Sequence, residues 1–366
     1  MSEPVELETV DVPGTVERSR AGGVAAPLLA VRDLHVEFPT DDGIVKAVDG
    51  LSFEVGRNEV LGIVGESGSG KSVTSMAILG LLPKTARITG EILLDGEPIL
   101  GLSEKHLQPL RGNRIAMVFQ DALAALNPVY TVGAQVSEAI QVHHPKLDKD
   151  AVRDRVVGLL ETVGIPNPRD RADQYPHEYS GGMRQRAMIA MAIANDPDIL
   201  IADEPTTALD VTIQAQVLDV LERVQERTDS AIMLITHDLG VVAGMADRVM
   251  VMYAGRQAEL GTVDDIFYRP RHPYTMGLLA SLPRIDRGGG DDRLFRIRGN
   301  PPSLIAVPSG CPFHPRCFHA RLPEPCATER PALRPAIGDP GHVSACHFAD
   351  ELGDLSPEQL QAEMAK

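Results

Sequence analysis

A mainly parallel α/β sheet is the fold class this sequence predicts, and three observations carry it. Val60-Leu61-Gly62-Ile63-Val64, Ile199-Leu200-Ile201-Ala202 and Ala231-Ile232-Met233-Leu234-Ile235 are short unbroken apolar runs, the pattern of strands buried on both faces. Helix-like stretches follow the first run at 72–82 and lie between the other two at 211–227, an alternation that suits parallel strands and their crossovers. A glycine-rich loop joins the first run to its helix.

In chain order, residues 1–27 hold five acidic residues, two arginines and no periodicity, and are expected to form a disordered acidic leader. Leu28-Leu29-Ala30-Val31 and Leu34-His35-Val36-Glu37-Phe38 read as strand, with a turn at Asp41-Asp42-Gly43. Ile115-Ala116-Met117-Val118-Phe119 is strand-like and ends at Gln120. Apolar residues at 152, 156, 159, 160 and 163 predict an amphipathic helix over 150–163. Val249-Met250-Val251-Met252-Tyr253 and Gln257-Ala258-Glu259-Leu260, joined through Ala254-Gly255, predict a hairpin. Beyond residue 262 the chain becomes rich in Pro, Arg and Gly, with Gly288-Gly289-Gly290 as a flexible joint, so 263–366 is expected to be a different kind of structure. No internal repeat is visible.

Composition narrows the function. At 366 residues, 43% hydrophobic and 23% charged, the chain can bury a sizeable core and is neither a disordered polymer nor a small disulfide scaffold. A formal net charge of −16 argues against a free-standing nucleic-acid binder, which leans basic. No apolar run reaches the length of a membrane span, and the first 30 residues lack a signal-peptide pattern.

Gly65-Glu66-Ser67-Gly68-Ser69-Gly70-Lys71-Ser72 fits G-x-x-x-x-G-K-[ST] between a predicted strand and a predicted helix. The glycines let several backbone N–H groups converge on one anion, and the helix N-terminus adds its dipole. Lys71 is then expected on the β- and γ-phosphates and Ser72 on Mg²⁺. Asp203 and Glu204 end the second apolar run, Asp203 facing the Mg²⁺ shell and Glu204 the attacking water as general base. His237, in Thr236-His237-Asp238, ends the third run at the same sheet edge and is expected near the γ-phosphate. Gln120 contributes a neutral amide near metal and water. Tyr179-Ser180-Gly181-Gly182-Met183-Arg184-Gln185-Arg186 opens a helical stretch, with Ser180 as N-cap and two glycines that admit a second phosphate.

These motifs, in this order over about residues 28–262, resemble the ATP-binding subunit of an ABC transporter. The usual signature is LSGGQ, from which Tyr179 and Met183 depart. The resemblance implies a P-loop ABC-type nucleotide-binding domain: a RecA-like core, an antiparallel β part and a helical subdomain at about 121–180 that receives a coupling helix. It implies Phe38 as the aromatic on the adenine and Asp210, of Ala208-Leu209-Asp210, as the residue coupling two nucleotide sites. It also implies a head-to-tail pair in which Ser180, Gly181 and Gly182 meet the other subunit's ATP.

Tyr175-Pro176-His177-Glu178 before the signature, Gln120-Asp121-Ala122 with Leu126-Asn127-Pro128, and His272-Pro273-Tyr274-Thr275 are similar to the D-type ATPase of oligopeptide and dipeptide importers. The partners so implied are a homologous F-type ATPase chain, two transmembrane permease subunits and an extracytoplasmic peptide-binding protein. The motor itself is expected as a peripheral protein on the cytoplasmic face. Nickel importers share much of this wording. Soluble ABC ATPases of DNA repair or translation usually carry tandem cassettes or coiled coils, which are missing here; intact Glu204 and His237 oppose a non-hydrolysing scaffold.

Cys311, Cys317, Cys326 and Cys346 are the chain's only cysteines, spaced C-x5-C-x8-C-x19-C. A reducing cytosol disfavours disulfides. Four thiolates suit a [4Fe–4S] cluster, whereas zinc sites usually show tighter pairs. His314, His319, His342 and His347 keep zinc open, and free thiols remain the third reading. Pro308-Ser309-Gly310-Cys311 through Cys317 resembles the cysteine-bearing C-terminal extension of peptide-importer ATPases, which implies the cluster.

Overall fold

The computed structural model describes residues 26–121, 125–207, 210–282, 296–353 and 355. The leader up to residue 25, Ala122, Ala208-Leu209, the joint at 288–290 and the tail from 356 lie outside the described residues.

In chain order the strands are β1 (Leu29–Thr40), β2 (Gly43–Val55), β3 (Val60–Val64), β4 (Arg87–Leu94), β5 (Glu97–Pro98) and β6 (Ile115–Val118). They continue with β7 (Ile199–Asp203), β8 (Ala231–Thr236), β9 (Arg248–Tyr253), β10 (Arg256–Thr262), β11 (Arg334–Ala336) and β12 (Asp339–Ser344). Two sheets result, a four-stranded one ordered β2-β1-β4-β5 and an eight-stranded one ordered β11-β12-β10-β9-β3-β8-β7-β6. β6, β7, β8, β3 and β9 run parallel, as the apolar runs predict. Every residue of β3, β7 and β8 is buried. Their register pairs Val64 with Thr236 and Asp203 with Ile235, so three carboxyl ends share one edge. Ligands collect at such an edge.

The helices that matter for the site are α1 (Lys71–Ile78), α2 (Val132–His143), α3 (Lys149–Thr162), α4 (Gly181–Ala192), α5 (Val211–Thr228), α6 (Leu239–Met245) and α7 (Pro273–Ala280). The apolar spacing read at 150–163 becomes α3, capped by Asp148 and buried through Val152, Val156 and Leu160. These pack with Val132, Val136 and Ile140 of α2 in one core. α1 stops short of residue 82 because Gly80 turns left-handed, at φ +63. The two strand segments read at 28–38 are one strand instead. Asp33, at φ +46, forms a bulge between Val31 and Leu34, after which pairing with β2 resumes.

β9 and β10 form the expected hairpin, turning at Ala254 and Gly255 with φ +49 and +76, the geometry of a type I′ turn. The segment beyond residue 262 returns to the sheet: β12 pairs with β10 through Glu259–Ser344 and Leu260–Val343, and β11 adds to β12. No helix among the described residues is long and apolar enough to cross a membrane.

Candidate functional site

The loop between β3 and α1 is built so tightly that only glycine fits at two positions. A Cβ on Gly65 would lie 2.3 Å from the Met252 carbonyl, and one on Gly70, at φ +100, 2.4 Å from the Ala47 carbonyl. Gly68, at φ +79, faces open space, so its requirement is conformational alone. Lys71 is 5% exposed, and its Nζ donates to the carbonyls of Gly65 at 2.8 Å and Glu66 at 3.1 Å. Burial lowers its pKa, opposed by the charges of Glu204, Asp203 and Glu66. Ser69 Oγ is buried with no hydrogen-bond partner among the described residues, a hydroxyl available to an incoming oxyanion.

The strand ends complete this pocket. Ser72 Oγ donates to Asp203 Oδ1 at 3.1 Å. Burial raises the Asp203 pKa, with the bond from Ser72 pulling the other way. A cation is the natural remedy for a buried carboxylate, and a hydroxyl beside a carboxylate is a hard-oxygen pair of the kind magnesium takes. Glu204 leaves the strand at φ +48, its N–H still bonded to the Ile235 carbonyl at 2.8 Å. Its Oε2 accepts from Gln120 Nε2 at 3.1 Å and from the Thr207 hydroxyl at 2.7 Å, and lies 3.4 Å from His237 Nδ1. Thus Lys71, Ser72, Asp203, Glu204, Gln120 and His237, scattered over 167 positions, meet at one sheet edge. Thr207 is a member that motif reading missed. Its only sequence signal is its place three residues after Glu204.

A second group assembles apart from the first. Ser180 caps α4, its hydroxyl accepting the Met183 N–H at 3.3 Å. Gly182 packs on α5, where a Cβ would come within 2.7 Å of Ile213 Cγ2, whereas a Cβ on Gly181 would meet nothing within 4 Å. Asp210 caps α5, accepting the Ile213 N–H at 2.9 Å. Phe38 sits half-buried on β1 against the core that holds Leu34 and Val36.

All four cysteines line one cavity, together with Phe313, His314, His319, His347 and Phe348. Backbone N–H groups of His319, Arg321 and Phe348 donate to the sulfurs of Cys317, Cys326 and Cys346, each at 3.4 Å. Burial pushes the thiol pKa values of Cys311 and Cys317 up, and that of Cys346 up to about 12. Four thiols lining one cavity, three of them already accepting N–H groups, form a donor set suited to a positively charged metal group. Among the described residues, no three of these sulfurs lie within 4.8 Å of one another. Tetrahedral zinc with bonds of about 2.3 Å would draw them to roughly 3.8 Å apart.

A family model described as ABC transporter matches residues 48–207, and one described as Oligopeptide/dipeptide transporter, C-terminal region, matches residues 258–326. The dipeptide transport ATP-binding protein DppD of Bacillus subtilis is 56% identical over 292 residues, 79% of this chain and 86% of that protein. The oligopeptide transport ATP-binding protein OppD of Bacillus subtilis is 54% identical over 342 residues, 93% of this chain and 94% of that protein. Among solved structures, the dimeric post-hydrolysis state of the ATP-binding cassette MJ0796 bound to ADP and Pi aligns with a TM-score of 0.58 at 25% identity, covering 64% of this chain and 98% of that one. Because the two transport proteins are more than half identical over most of this chain and of their own length, the chain belongs to the ATP-binding subunits of oligopeptide and dipeptide ABC transporters.

Proposed function

We propose that this chain is the ATP-hydrolysing motor of an importer that carries oligopeptides or dipeptides across the cytoplasmic membrane. The observation that carries it is the junction at the end of β7, where Asp203 meets Ser72 while Glu204 meets Gln120 and His237. In this reading the N–H groups of 65–72 and the Lys71 ammonium bind the phosphates, with Lys71 exchanging its two carbonyl partners for phosphate oxygens. Phe38 carries the adenine. Ser72, Asp203 and Gln120 hold Mg²⁺, which when bound neutralises charge on the β- and γ-phosphates. Glu204 orients and deprotonates the attacking water, while Thr207 and Gln120 hold its carboxylate and His237 contacts the γ-phosphate.

Ser180, Gly181 and Gly182 serve the neighbouring subunit's ATP. The open space at Gly181 supports this, since nothing among the described residues demands glycine there. Asp210 links the two sites through the start of α5. The neighbour is a homologous F-type chain, and the assembly adds two transmembrane permeases and an extracytoplasmic peptide-binding protein. The chain sits peripherally on the cytoplasmic face, the helices of 121–180 taking the permease coupling helix. Residues 28–262 act as the ATPase domain and 263–366 as its extension. Cys311, Cys317, Cys326 and Cys346 hold a [4Fe–4S] cluster there; the single cavity that all four line supports a shared metal group.

The test compares phosphate release by the purified chain alone with that of the chain assembled with its permeases and partner ATPase in vesicles. The lone chain, monomeric by light scattering, is expected to hydrolyse ATP poorly, and assembly with binding protein and peptide to raise the rate. Full turnover by a demonstrably monomeric sample overturns the shared-site reading.

A further inference from the structure

An arginine from the segment beyond residue 296 is docked on the phosphate loop. Arg316 Nη1 donates to Glu66 Oε2 at 2.6 Å and Nη2 to Glu66 Oε1 at 2.9 Å. The arginine side chain is 5% exposed and that of Glu66 27%. Its other donors are spoken for: Nε reaches the Arg298 carbonyl at 3.0 Å, Nη1 the Tyr253 hydroxyl at 3.3 Å and Nη2 the Gly299 carbonyl at 3.4 Å. The guanidinium carbon also lies 5.8 Å from the Tyr253 ring centroid and 6.0 Å from that of Phe313. A fork held on so many sides is a rigid support.

Glu66 is the second residue of the loop, and three of its groups are held. Its N–H donates to the Tyr274 hydroxyl on α7 at 2.8 Å. Its carbonyl accepts from the Ser69 N–H at 3.2 Å and from Lys71 Nζ at 3.1 Å. Its carboxylate is the group Arg316 grips. An acidic side chain beside a site for a triphosphate is electrostatically adverse unless a cation turns it away and cancels its charge.

We propose that Arg316 is a positioning residue for ATP binding: through Glu66 it fixes the first turn of the phosphate loop, and it neutralises a carboxylate that otherwise opposes the triphosphate. The path runs from Arg316 to Glu66, whose N–H and carbonyl are tied to Tyr274 and to Ser69 of the loop, so the effect falls on nucleotide affinity rather than on the hydrolytic step at Glu204. The inference rests on the ATPase reading above. No wild-type hydrolysis would defeat that reading, whereas wild-type hydrolysis with unmoved variants would defeat only the inference.

The experiment measures KM for ATP and kcat of the full chain assembled with its permeases and partner ATPase, with thermal unfolding recorded for each variant. Arg316→Ala is expected to raise KM about tenfold while kcat at saturating ATP stays within about twofold. Glu66→Gln alone is expected to raise KM about two- to threefold, and added to Arg316→Ala to recover most of the tenfold loss, because the unpaired carboxylate is gone. Arg316→Lys, which keeps the charge and loses the fork, falls between wild type and Arg316→Ala. If Arg316→Ala does not fold, Arg316→Gln with and without Glu66→Gln gives the same reading. An unchanged KM in a folded Arg316 variant, or a KM that Glu66→Gln fails to recover, overturns the proposal.

Discussion

Replacing Glu204 by glutamine separates ATP binding from ATP hydrolysis. The side chain is 17% exposed, and Oε2 accepts from Thr207 at 2.7 Å and Gln120 at 3.1 Å. A glutamine has the same size, meets the same backbone demand at φ +48 and keeps one oxygen to accept the Thr207 hydroxyl. The fold therefore loses about 1 kcal/mol at most, the net worth of one hydrogen bond. What it cannot do is take a proton. A positioned general base contributes about 10²- to 10⁴-fold, so kcat should fall by that factor, about 3–5 kcal/mol in the barrier. Affinity moves little, because removing a negative charge near Lys71 takes away repulsion toward the phosphates as well as attraction to the ammonium. An ATP-closed pair of subunits should accumulate, seen as ATP-dependent dimer in light scattering. The assay is phosphate release by the assembled transporter, with a fluorescent nucleotide titration beside it. A variant that binds ATP normally and turns over within about threefold of wild type would show that another group is the base.

Lys71→Ala acts on the other half: deleting a charge placed for two phosphates should weaken nucleotide binding about 100-fold, read in the same titration. Purified without oxygen, the wild-type chain should be brown and carry about four irons, and Cys317→Ser should bleach it and open residues 300–350 to protease. In that variant kcat at saturating ATP should persist while KM rises toward that of Arg316→Ala, since Arg316 precedes Cys317; one zinc and no iron in the wild type would overturn the cluster.

What the sequence disclosed and what it withheld divide along contact distance. β3, β7 and β8 were legible because burial on both faces leaves an unbroken apolar run, and the parallel order followed from the helices between them. The phosphate loop was legible because its chemistry lies within eight consecutive residues, and Ser180 because a cap is bonded three residues away. The strand residues of β1 were legible at 28–31 and 34–38, but not that a bulge at Asp33 joins them into one strand, since a bulge has no sequence period of its own. The return of β12 to β10 was hidden, since a short strand among prolines shows no period and its partner lies more than 80 residues upstream. Arg316 was hidden for the same reason: it stands 250 positions from Glu66, in a stretch whose cysteines draw the eye. Yet one half of that pair was open to reading. The second place of G-x-x-x-x-G-K-[ST] is free, and this chain fills it with a carboxylate beside an anion site. A charge of the wrong sign at a place where the motif does not ask for it implies a cation nearby, and Lys71, whose own charge is needed for the phosphates, cannot be the one that stays. The counterion had to come from elsewhere in the fold, and the extension docked along β10 supplies it.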